Sequence, residues 1–258
     1  MRNVVITGGT SGIGKACQEY FTKKGDCVII LARKNPDNME NFYACDVTQE
    51  EEVKKVFEQI SKKFGQIDVL INNAGYGLSG AVELVANEEA KRLFDVNLFG
   101  IVNCTKACLP FMQKGGKIIN MSSVCALFPL QFRAYYCASK SAVNQLTFSQ
   151  AMECKPFGIT VCAVCPGDVK TNFTQNRVKV FDTNERYGDR IKNCAEKIDS
   201  KNDKRMDPIV VAKATYKFSL KKKPKPFIIV GGKYKLLYFA SKFVSAKFLH
   251  KCIYKMFG

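Results

Sequence analysis

The stretch TGGTSGIGK, residues 7–15, decides the fold of this 258-residue chain. A short apolar run over residues 4–7 leads into it, and a pattern that predicts a helix over residues 13–24 follows it. Glycines at positions 8, 12 and 14 leave the turn without side chains, so backbone amides can approach a pyrophosphate, and the helix N-terminus adds partial positive charge. A strand, a glycine turn and a helix in this order predict a dinucleotide-binding unit.

Apolar runs and helical patterns alternate along the rest of the chain. Strands are predicted over residues 4–7, 27–32, 41–45, 69–72, 117–121, 159–164 and 226–230, and helices over residues 13–24, 50–64, 86–113 in one or two pieces, and 135–154. This alternation predicts an α/β fold with a single Rossmann-type, doubly wound parallel sheet and helices on both faces. Its ligand crevice is expected at the carboxyl ends of the strands. The length suits one domain over residues 1–258.

The composition indicates a globular intracellular protein. Apolar residues make up 47% of the chain, and the twelve cysteines are scattered through apolar runs, where reduced thiols act as small core residues. The chain starts with a strand-like run and not with the pattern of a signal peptide, so a cytoplasmic location is expected. His250 is the only histidine, which argues against histidine-based catalysis, and no metal site is expected.

The positive charge is concentrated towards the C-terminus. The formal net charge is +17, and residues 221–258 hold ten lysines and no acidic residue. This charge alone does not predict a specific nucleic-acid partner, because no recognised binding motif accompanies it. Within residues 233–258, aromatic and aliphatic residues alternate with lysines and predict a basic amphipathic helix. Such a helix either packs over the substrate cleft or a partner subunit, or lies on an anionic membrane surface.

The end of the second predicted strand indicates which dinucleotide binds. A free ribose 2′-hydroxyl is normally met there by Asp or Glu, whereas a 2′-phosphate is met by Arg. The chain has Arg33 and Lys34 at this point. The sequence therefore predicts NADP(H), and not NAD(H), as the cofactor.

The stretch AYYCASK, residues 134–140, brings a phenol and an ammonium group together. Tyr136 and Lys140 are four residues apart and face the same side of a helix, whereas Tyr135 points elsewhere. A neighbouring ammonium group lowers the pKa of a phenol, which suits a tyrosine for acid–base chemistry near neutral pH. The pattern by itself also fits an exposed helix pair, so its meaning depends on the other motifs.

Three motifs occur in one order: the glycine turn, Asn72-Asn73-Ala74-Gly75, and Tyr136-x-x-x-Lys140. With them, the chain resembles the short-chain dehydrogenase/reductase family over residues 3–171. The resemblance implies that a tyrosine exchanges a proton with the substrate oxygen, a serine stabilises that oxygen, a lysine lowers the tyrosine pKa and holds the nicotinamide ribose, and an asparagine anchors a water path. The implied catalytic residues are Asn97, Ser123, Tyr136 and Lys140, with Ser122 as the alternative serine.

The same resemblance extends the cofactor site. It places Asp46 and Val47 beside the adenine and the loop that starts at Pro166 beside the nicotinamide. With the glycine turn and the two basic residues after the second strand, the predicted cofactor contacts are Gly8, Thr10, Ser11, Gly12, Ile13, Gly14, Arg33, Lys34, Asp46, Val47, Asn73, Gly75, Tyr136, Lys140, Pro166, Gly167, Val169 and Thr171.

The expected function is an NADP(H)-dependent oxidoreductase that transfers hydride between the nicotinamide and a secondary alcohol or ketone. Apolar residues between the predicted serine and tyrosine favour a lipophilic, hydroxysteroid-like substrate and would line one wall of the cleft: Leu127, Phe128, Leu130 and Phe132. The alternatives are a reductase of small carbonyl or acyl substrates and a peripheral-membrane lipid or retinoid dehydrogenase. Residues 172–206 are polar and are expected to form a substrate lid. The resemblance also implies a homo-oligomer.

Overall fold

The structure of the protein, a computed structural model, describes residues 1–181, 185–200 and 205–257. Within these residues, seven strands form one parallel sheet and two short strands pair separately. The strands are β1 Asn3–Thr7, β2 Cys27–Ala32, β3 Phe42–Ala44, β4 Val69–Asn72, β5 Leu78–Ser79, β6 Lys117–Met121, β7 Thr160–Pro166, β8 Val178–Lys179 and β9 Phe227–Val230. The α-helices are α1 Gly12–Lys23, α2 Glu50–Phe64, α3 Asn87–Phe94, α4 Gly100–Cys108, α5 Ala134–Glu153, α6 Arg190–Asp199, α7 Pro208–Ser219, α8 Gly232–Ser241 and α9 Ala246–Phe257.

The strand order places the ligand crevice. The large sheet has the order β3-β2-β1-β4-β6-β7-β9, and β1 pairs in parallel with β2 on one side and with β4 on the other. The chain therefore builds the sheet outward from β1 in both directions, and a crevice opens beyond the carboxyl ends of β1 and β4, where the order switches. The central strands are runs of buried residues, as a parallel sheet covered on both faces requires. The predicted α/β class and doubly wound sheet are confirmed.

Helices cover both faces of this sheet. Val5 of β1 packs in one core with Phe57 of α2, whereas Val4 and Ile6 pack in the other with Phe21 of α1. Alternate residues of one strand therefore serve two cores. Both phenylalanines are fully buried, and burial of such a side chain contributes about 1.5–3 kcal/mol.

The helix predicted over residues 86–113 is divided. α3 ends at Phe94, one turn of π-helix over Asp95–Phe99 follows, and α4 starts at Gly100. A π turn accommodates an extra residue and so changes the direction of the side chains within it. Asn97 lies in this turn and is fully buried.

The C-terminal segment forms two helices, which corrects the single helix that its pattern predicts. α8 ends at Ser241 and α9 begins at Ala246. The hydroxyl of Ser245 accepts a hydrogen bond from the backbone N–H of Phe248, 3.3 Å away, and this cap favours a new helix start. In the described part of the chain, no helix is both long and apolar enough to span a membrane.

The predicted lid, residues 172–206, contains more regular structure than its pattern indicates. β8 pairs in parallel with β5, and α6 follows it. Residues 182–184 and 201–204 of this segment lie outside the described residues. Its role as a lid stays a prediction.

Candidate active site

The glycine turn between β1 and α1 is too tight for side chains. Gly8 and Gly12 have φ angles of +66° and +54°, a left-handed conformation that favours glycine. A Cβ atom at Gly14 would lie 2.2 Å from the carbonyl oxygen of Gly8. The first turn of the described helix α1 has no acidic side chain. The backbone N–H groups at the start of this helix can therefore bind an anion such as a pyrophosphate. The other predicted contacts of this turn are Thr10, Ser11 and Ile13.

Residues after β4 hold the glycine turn from the other side of the crevice. The side-chain amide of Asn73 donates hydrogen bonds to the carbonyl oxygens of Thr7, at 3.1 Å, and Gly8, at 3.0 Å. The Thr7 hydroxyl accepts hydrogen bonds from the backbone N–H groups of Asn73 and Ala74, both at 3.0 Å. These bonds fix the ends of β1 and β4 together.

The region predicted to meet the 2′-phosphate is basic. Arg33 and Lys34 are exposed directly after β2. Lys15, a cation that the sequence analysis did not assign, lies in the first turn of α1 and pairs with Asp37 at 2.7 Å. This ion pair holds the loop after β2 against the start of α1, so three cationic side chains come from the two segments that border this end of the crevice.

The pair predicted beside the adenine follows β3. The carboxylate of Asp46 accepts hydrogen bonds from the backbone N–H and the hydroxyl of Thr48, at 3.0 and 2.8 Å. The side-chain amide of Asn103 donates to the carbonyl oxygen of Val47 at 3.0 Å. A Cβ atom at Gly100 would lie 2.7 Å from the Val47 side chain, so glycine lets α4 approach this loop.

The loop after β7 is covered by the C-terminal segment. Gly167 lies so close to Tyr234 of α8 that a Cβ atom would come within 2.0 Å of the ring. The Tyr234 hydroxyl donates a hydrogen bond to the Asp168 carboxylate, 2.5 Å away. Thr171 closes the loop against the glycine turn, since a Cβ atom at Gly12 would lie 3.3 Å from it. The same loop contains the remaining predicted contacts, Pro166 and Val169.

Asn97 joins two parts of the site. Its side-chain oxygen accepts a hydrogen bond from the backbone N–H of Tyr76 at 3.0 Å. Its amide group donates to the carbonyl oxygen of Tyr76, at 3.1 Å, and to the hydroxyl of Ser139 in α5, at 3.2 Å. A Cβ atom at Gly75 would lie 2.8 Å from the Asn97 oxygen. Asn97 therefore sets the distance between the segment after β4 and helix α5.

The two candidate serines after β6 face different partners. The hydroxyl of Ser122 donates to the backbone carbonyl oxygen of Lys140 at 3.2 Å. The hydroxyl of Ser123 accepts from the backbone N–H of Cys125 at 3.1 Å, and its interaction with the Tyr136 phenol lowers the pKa of that phenol. The structure thus brings Ser123, and not Ser122, together with Tyr136.

Tyr136 is buried, with 6% of its surface exposed. Burial raises the pKa of its phenol, and negative charge on the Cys125 thiol raises it further. The guanidinium of Arg133, whose Cζ lies 4.6 Å from the ring centroid, and the interaction with the Ser123 hydroxyl lower this pKa. The net shift of the pKa is upward, which corrects the lowering that the sequence predicts, because burial outweighs the neighbouring cation.

Lys140 faces the end of β6. Its ammonium group donates a hydrogen bond to the carbonyl oxygen of Met121 at 3.0 Å and lies 3.6 Å from the position of a Cβ atom on Gly75. Burial lowers the pKa of this ammonium group to about 8. The cation that lowers the Tyr136 pKa in the structure is therefore Arg133, whereas Lys140 connects α5 to the sheet.

Sequence reasoning missed Arg133 and Phe173 beside the phenol, and Tyr234 beside the loop after β7. The ring of Phe173 lies 5.8 Å from the ring of Tyr136, centroid to centroid. Arg133 is three residues before Tyr136, and this helical spacing could have identified it. Phe173 and Tyr234 come from distant segments, and no local pattern points to them.

The apolar residues between Ser123 and Tyr136 have separate environments. Leu127 and Phe128 pack with residues of the C-terminal helices, and Leu130 packs in the cluster that contains Tyr136. Phe132 contacts an aromatic ring of the segment before α6. The expectation that all four form one wall is therefore wrong, because the loop turns and sends its side chains in different directions.

The predicted site residues meet at one edge of the sheet. The glycine turn follows β1, Asn73 and Gly75 follow β4, Ser123 follows β6, and the loop of Gly167 follows β7. Because these parallel strands all end at the same edge, the site lies at the predicted crevice.

Comparisons with known proteins agree with this geometry. A family model described as short chain dehydrogenase matches residues 2–180. The chain is 37% identical over 245 residues to the 3-ketodihydrosphingosine reductase of Bacteroides thetaiotaomicron, and the match covers 93% of this chain and 91% of that protein. A short-chain dehydrogenase structure from Streptomyces avermitilis has a TM-score of 0.81 at 29% identity, covering 94% of this chain and 92% of that one.

A solved structure with a cofactor is also similar. ElxO with NADP bound has a TM-score of 0.76 at 30% identity, and the match covers 91% of this chain and 99% of that one. The family match spans the glycine turn, the segment after β4 and the tyrosine–lysine helix, which are the parts that form the site. The chain therefore belongs to the short-chain dehydrogenase family of nicotinamide-dependent oxidoreductases.

Proposed function

We propose that the protein is an NADP(H)-dependent oxidoreductase that interconverts a lipophilic, hydroxysteroid-like secondary alcohol and its ketone. The observation that carries this proposal is that Ser123 interacts with the Tyr136 phenol, while Lys140 and Asn97 both lie close to Gly75. A hydroxyl pair of this kind can hold and protonate one oxygen atom.

The residues fit a phosphorylated dinucleotide. The pyrophosphate would bind at the turn of Gly8 and Gly14, which has no side chains, and at the N-terminus of α1, where no acidic side chain neutralises the partial positive charge. Arg33 and Lys34 would contact the 2′-phosphate, which distinguishes NADP(H) from NAD(H). The similarity to ElxO with NADP bound supports the same choice. When bound, the nicotinamide would supply the hydride or accept it.

The side chains of this protein would manage the proton. In reduction, the Tyr136 hydroxyl gives its proton to the carbonyl oxygen while Ser123 donates a hydrogen bond to that oxygen, and in oxidation the transfers reverse. The raised pKa of Tyr136 keeps the phenol protonated near neutral pH, which suits reduction. Asn97 fixes the position of α5 relative to the segment after β4 through its hydrogen bonds to both. Lys140 holds α5 against β6.

Lipophilic substrates are supported by the surroundings of the phenol. Leu130 and Phe173 pack in the same cluster as Tyr136. The similar Bacteroides thetaiotaomicron protein is named for the reduction of a ketodihydrosphingosine. A reductase of small carbonyl or acyl substrates is the alternative.

A peripheral position on a membrane is a second proposal and rests on the outer face of α8. Leu236 and Phe239 of α8 and Phe243, two residues after its end, follow helical spacing and are 69%, 61% and 75% exposed. Tyr234 and Tyr238 of the opposite face pack on the protein. The segment therefore combines both expected roles: one face covers the site, and the other presents apolar side chains among lysines, which suits an anionic bilayer. A cytoplasmic location with membrane contact follows from this proposal.

A homo-oligomer is proposed through the exposed surface near the site helices. Phe99, the last residue of the π turn before α4, is 54% exposed, and it lines a cavity together with Phe94 and Tyr135. Gel filtration with light scattering would test this.

The proposed activity is tested by following NADPH oxidation with a panel of steroid, retinoid, long-chain acyl and small aliphatic ketones. We expect turnover with a lipophilic ketone and weaker turnover with NADH. Turnover only of small ketones would favour the alternative, and no turnover of any ketone, nor of the matching alcohols with NADP⁺, would contradict the proposal.

A further inference from the structure

Two buried arginines lie beside the phenol of Tyr136. Arg133 is 7% exposed and stacks on the Tyr136 ring. The side chain of Arg177, from the segment just before β8, is 2% exposed. Arginine side chains are rarely buried unless their charge and their N–H groups are matched by partners.

Several N–H groups of these arginines have no partner. In the described residues, Nε and Nη2 of Arg133 and Nε of Arg177 are buried without a hydrogen bond. Nε of Arg205 is in the same state, although its other nitrogens donate to the Thr174 hydroxyl and the Ile198 carbonyl oxygen, both at 2.8 Å. A buried donor without a partner is unfavourable because it has lost its hydrogen bonds to water, so these donors are suited to an additional acceptor.

The local charge is also unbalanced. Asp199 pairs with Arg177 at 3.3 Å, and the same carboxylate pairs with Lys179 at 2.9 Å. Among the described residues, no carboxylate pairs with Arg133. Burial and the repulsion by Arg133 lower the pKa of Arg177 to about 10. One carboxylate therefore faces several cations.

The side chains of the two arginines come together at Gly77, and that of Arg133 also lies over the Tyr136 ring. A Cβ atom at Gly77 would lie 3.2 Å from Nη2 of Arg133, 3.3 Å from Cγ of Arg177 and 3.1 Å from the ring of Phe173. Phe173 in turn contacts the ring of Tyr136. Glycine at position 77 thus lets the Arg133 guanidinium, the aliphatic part of Arg177 and the Phe173 ring approach one another beside the apolar side of the site.

We propose that Arg133 and Arg177 bind an oxyanion group of the carbonyl substrate, so that the preferred substrate is a lipophilic ketone that carries an acid group. This inference rests on the proposed function. Guanidinium groups bind carboxylates and phosphates through paired N–H donors, and the unpartnered nitrogens supply such donors. A ketone with an amine at the same place would be repelled by both cations.

A different role for Arg133 would be to adjust the acidity of Tyr136 alone. The two roles differ in what they predict. Removal of an acidity-adjusting cation changes the pH profile of every substrate equally, whereas removal of an oxyanion partner weakens only substrates that carry the anion.

The test uses keto acids with different spacings between the ketone and the acid, each with its methyl ester and its phosphonate analogue. Activity is measured as kcat/KM with NADPH, and binding is measured by titration calorimetry without cofactor, so binding is followed even where no turnover occurs. Variants are Arg133→Gln, Arg177→Gln and Arg133→Lys. Arg92→Gln is the matched control, because Arg92 is an exposed arginine of α3 paired with Glu89.

We expect the acid to exceed its ester by roughly 10- to 100-fold in both binding and kcat/KM, and Arg133→Gln and Arg177→Gln to remove this preference. Arg133→Lys keeps the positive charge and should retain part of the preference for the acid. Arg92→Gln should retain this preference fully. If the protein prefers the phosphonate to the carboxylate, the acid group of its natural substrate is a phosphate and not a carboxylate. Equal binding of acid and ester, or equal losses for both in Arg133→Gln with a shifted pH profile, would overturn the inference. Absence of turnover with acid-selective binding would instead contradict the proposed activity.

Discussion

The ammonium group of Lys140 donates a hydrogen bond to the carbonyl oxygen of Met121, 3.0 Å away. This bond ties helix α5, which carries Tyr136, to the end of strand β6, which Ser123 follows after two residues. It also places a cation in a buried position, where burial lowers its pKa from 10.5 to about 8. The folded protein therefore holds this proton less tightly than the unfolded chain does.

Lys140 should make the free energy of unfolding rise with pH between about 8 and 10.5. In this window the unfolded chain binds the proton and the folded protein has lost it, so raising the pH favours the folded state. Below pH 8 both states are protonated and the group gives no slope. Between about pH 7 and pH 10, the free energy of unfolding of the wild-type protein should therefore rise by about 2–3 kcal/mol relative to that of Lys140→Met.

Urea unfolding at the two pH values, in the presence of reductant, measures this change. Lys106→Met is the control, since Lys106 is an exposed lysine of α4 that pairs with Glu50. In the control, the free energy of unfolding should change with pH by the same amount as in the wild-type protein. A wild-type and a Lys140→Met protein with parallel pH profiles would contradict the buried, weakened ammonium group.

Tyr136→Phe should reduce kcat by roughly 10²- to 10⁴-fold, because it removes the proton that the substrate oxygen needs. NADPH binding, measured by the change in cofactor fluorescence, should stay within a few-fold. Tyr135→Phe is a close control, because the Tyr135 hydroxyl donates to the carbonyl oxygen of Val82 at 3.2 Å, on the exposed side of α5. Substantial turnover by Tyr136→Phe, or an equal loss in Tyr135→Phe, would argue against the phenol as the proton donor.

Arg33→Asp should weaken NADPH binding by roughly 100-fold and change NADH binding little, because an acid repels a 2′-phosphate and accepts a hydrogen bond from a free 2′-hydroxyl. Dissociation constants for both cofactors give the ratio directly. Lys23→Asp makes the same charge change at the far end of α1 and should leave the ratio unchanged. If Arg33→Asp weakened both cofactors equally, the choice of NADP(H) would be wrong.

The fold and much of the site were predictable because their signals are local. The glycine turn, the residues after β4 and the Tyr136–Lys140 pair each occupy a short stretch, and parallel strands place such stretches at one edge. Strand β7, Thr160–Pro166, and strand β3, Phe42–Ala44, differ from their predicted ends by one or two residues.

The environment of the phenol was not predictable in the same way. Phe173 contacts Tyr136 from a segment with little periodicity, which also brings Arg177 to Gly77. The two-residue strands β5 and β8 of this region are too short to leave a pattern. The upward shift of the Tyr136 pKa depends on burial, which is a property of the whole fold and not of the Tyr-x-x-x-Lys spacing.

The outer face of α8 should bind anionic vesicles. Leu236→Gln, Phe239→Gln and Phe243→Gln together should reduce co-sedimentation with phosphatidylglycerol vesicles by roughly tenfold or more, because each change removes an exposed apolar side chain that would enter the bilayer interface. Met152→Gln with Phe157→Gln is the control, since these residues are also exposed, at 70% and 68%, but belong to neither α8 nor α9.

Salt and lipid charge separate the two contributions to this binding. Lysines attract an anionic surface at a range of about 8–10 Å at physiological ionic strength, so high salt or neutral phosphatidylcholine should weaken binding by the wild-type protein. Turnover of a water-soluble ketone should survive the triple change, because the opposite face of α8, with Tyr234 and Tyr238, still packs on the protein. Vesicle binding that is absent in the wild-type protein, or unchanged by the triple substitution, would assign this face to another partner or to solvent.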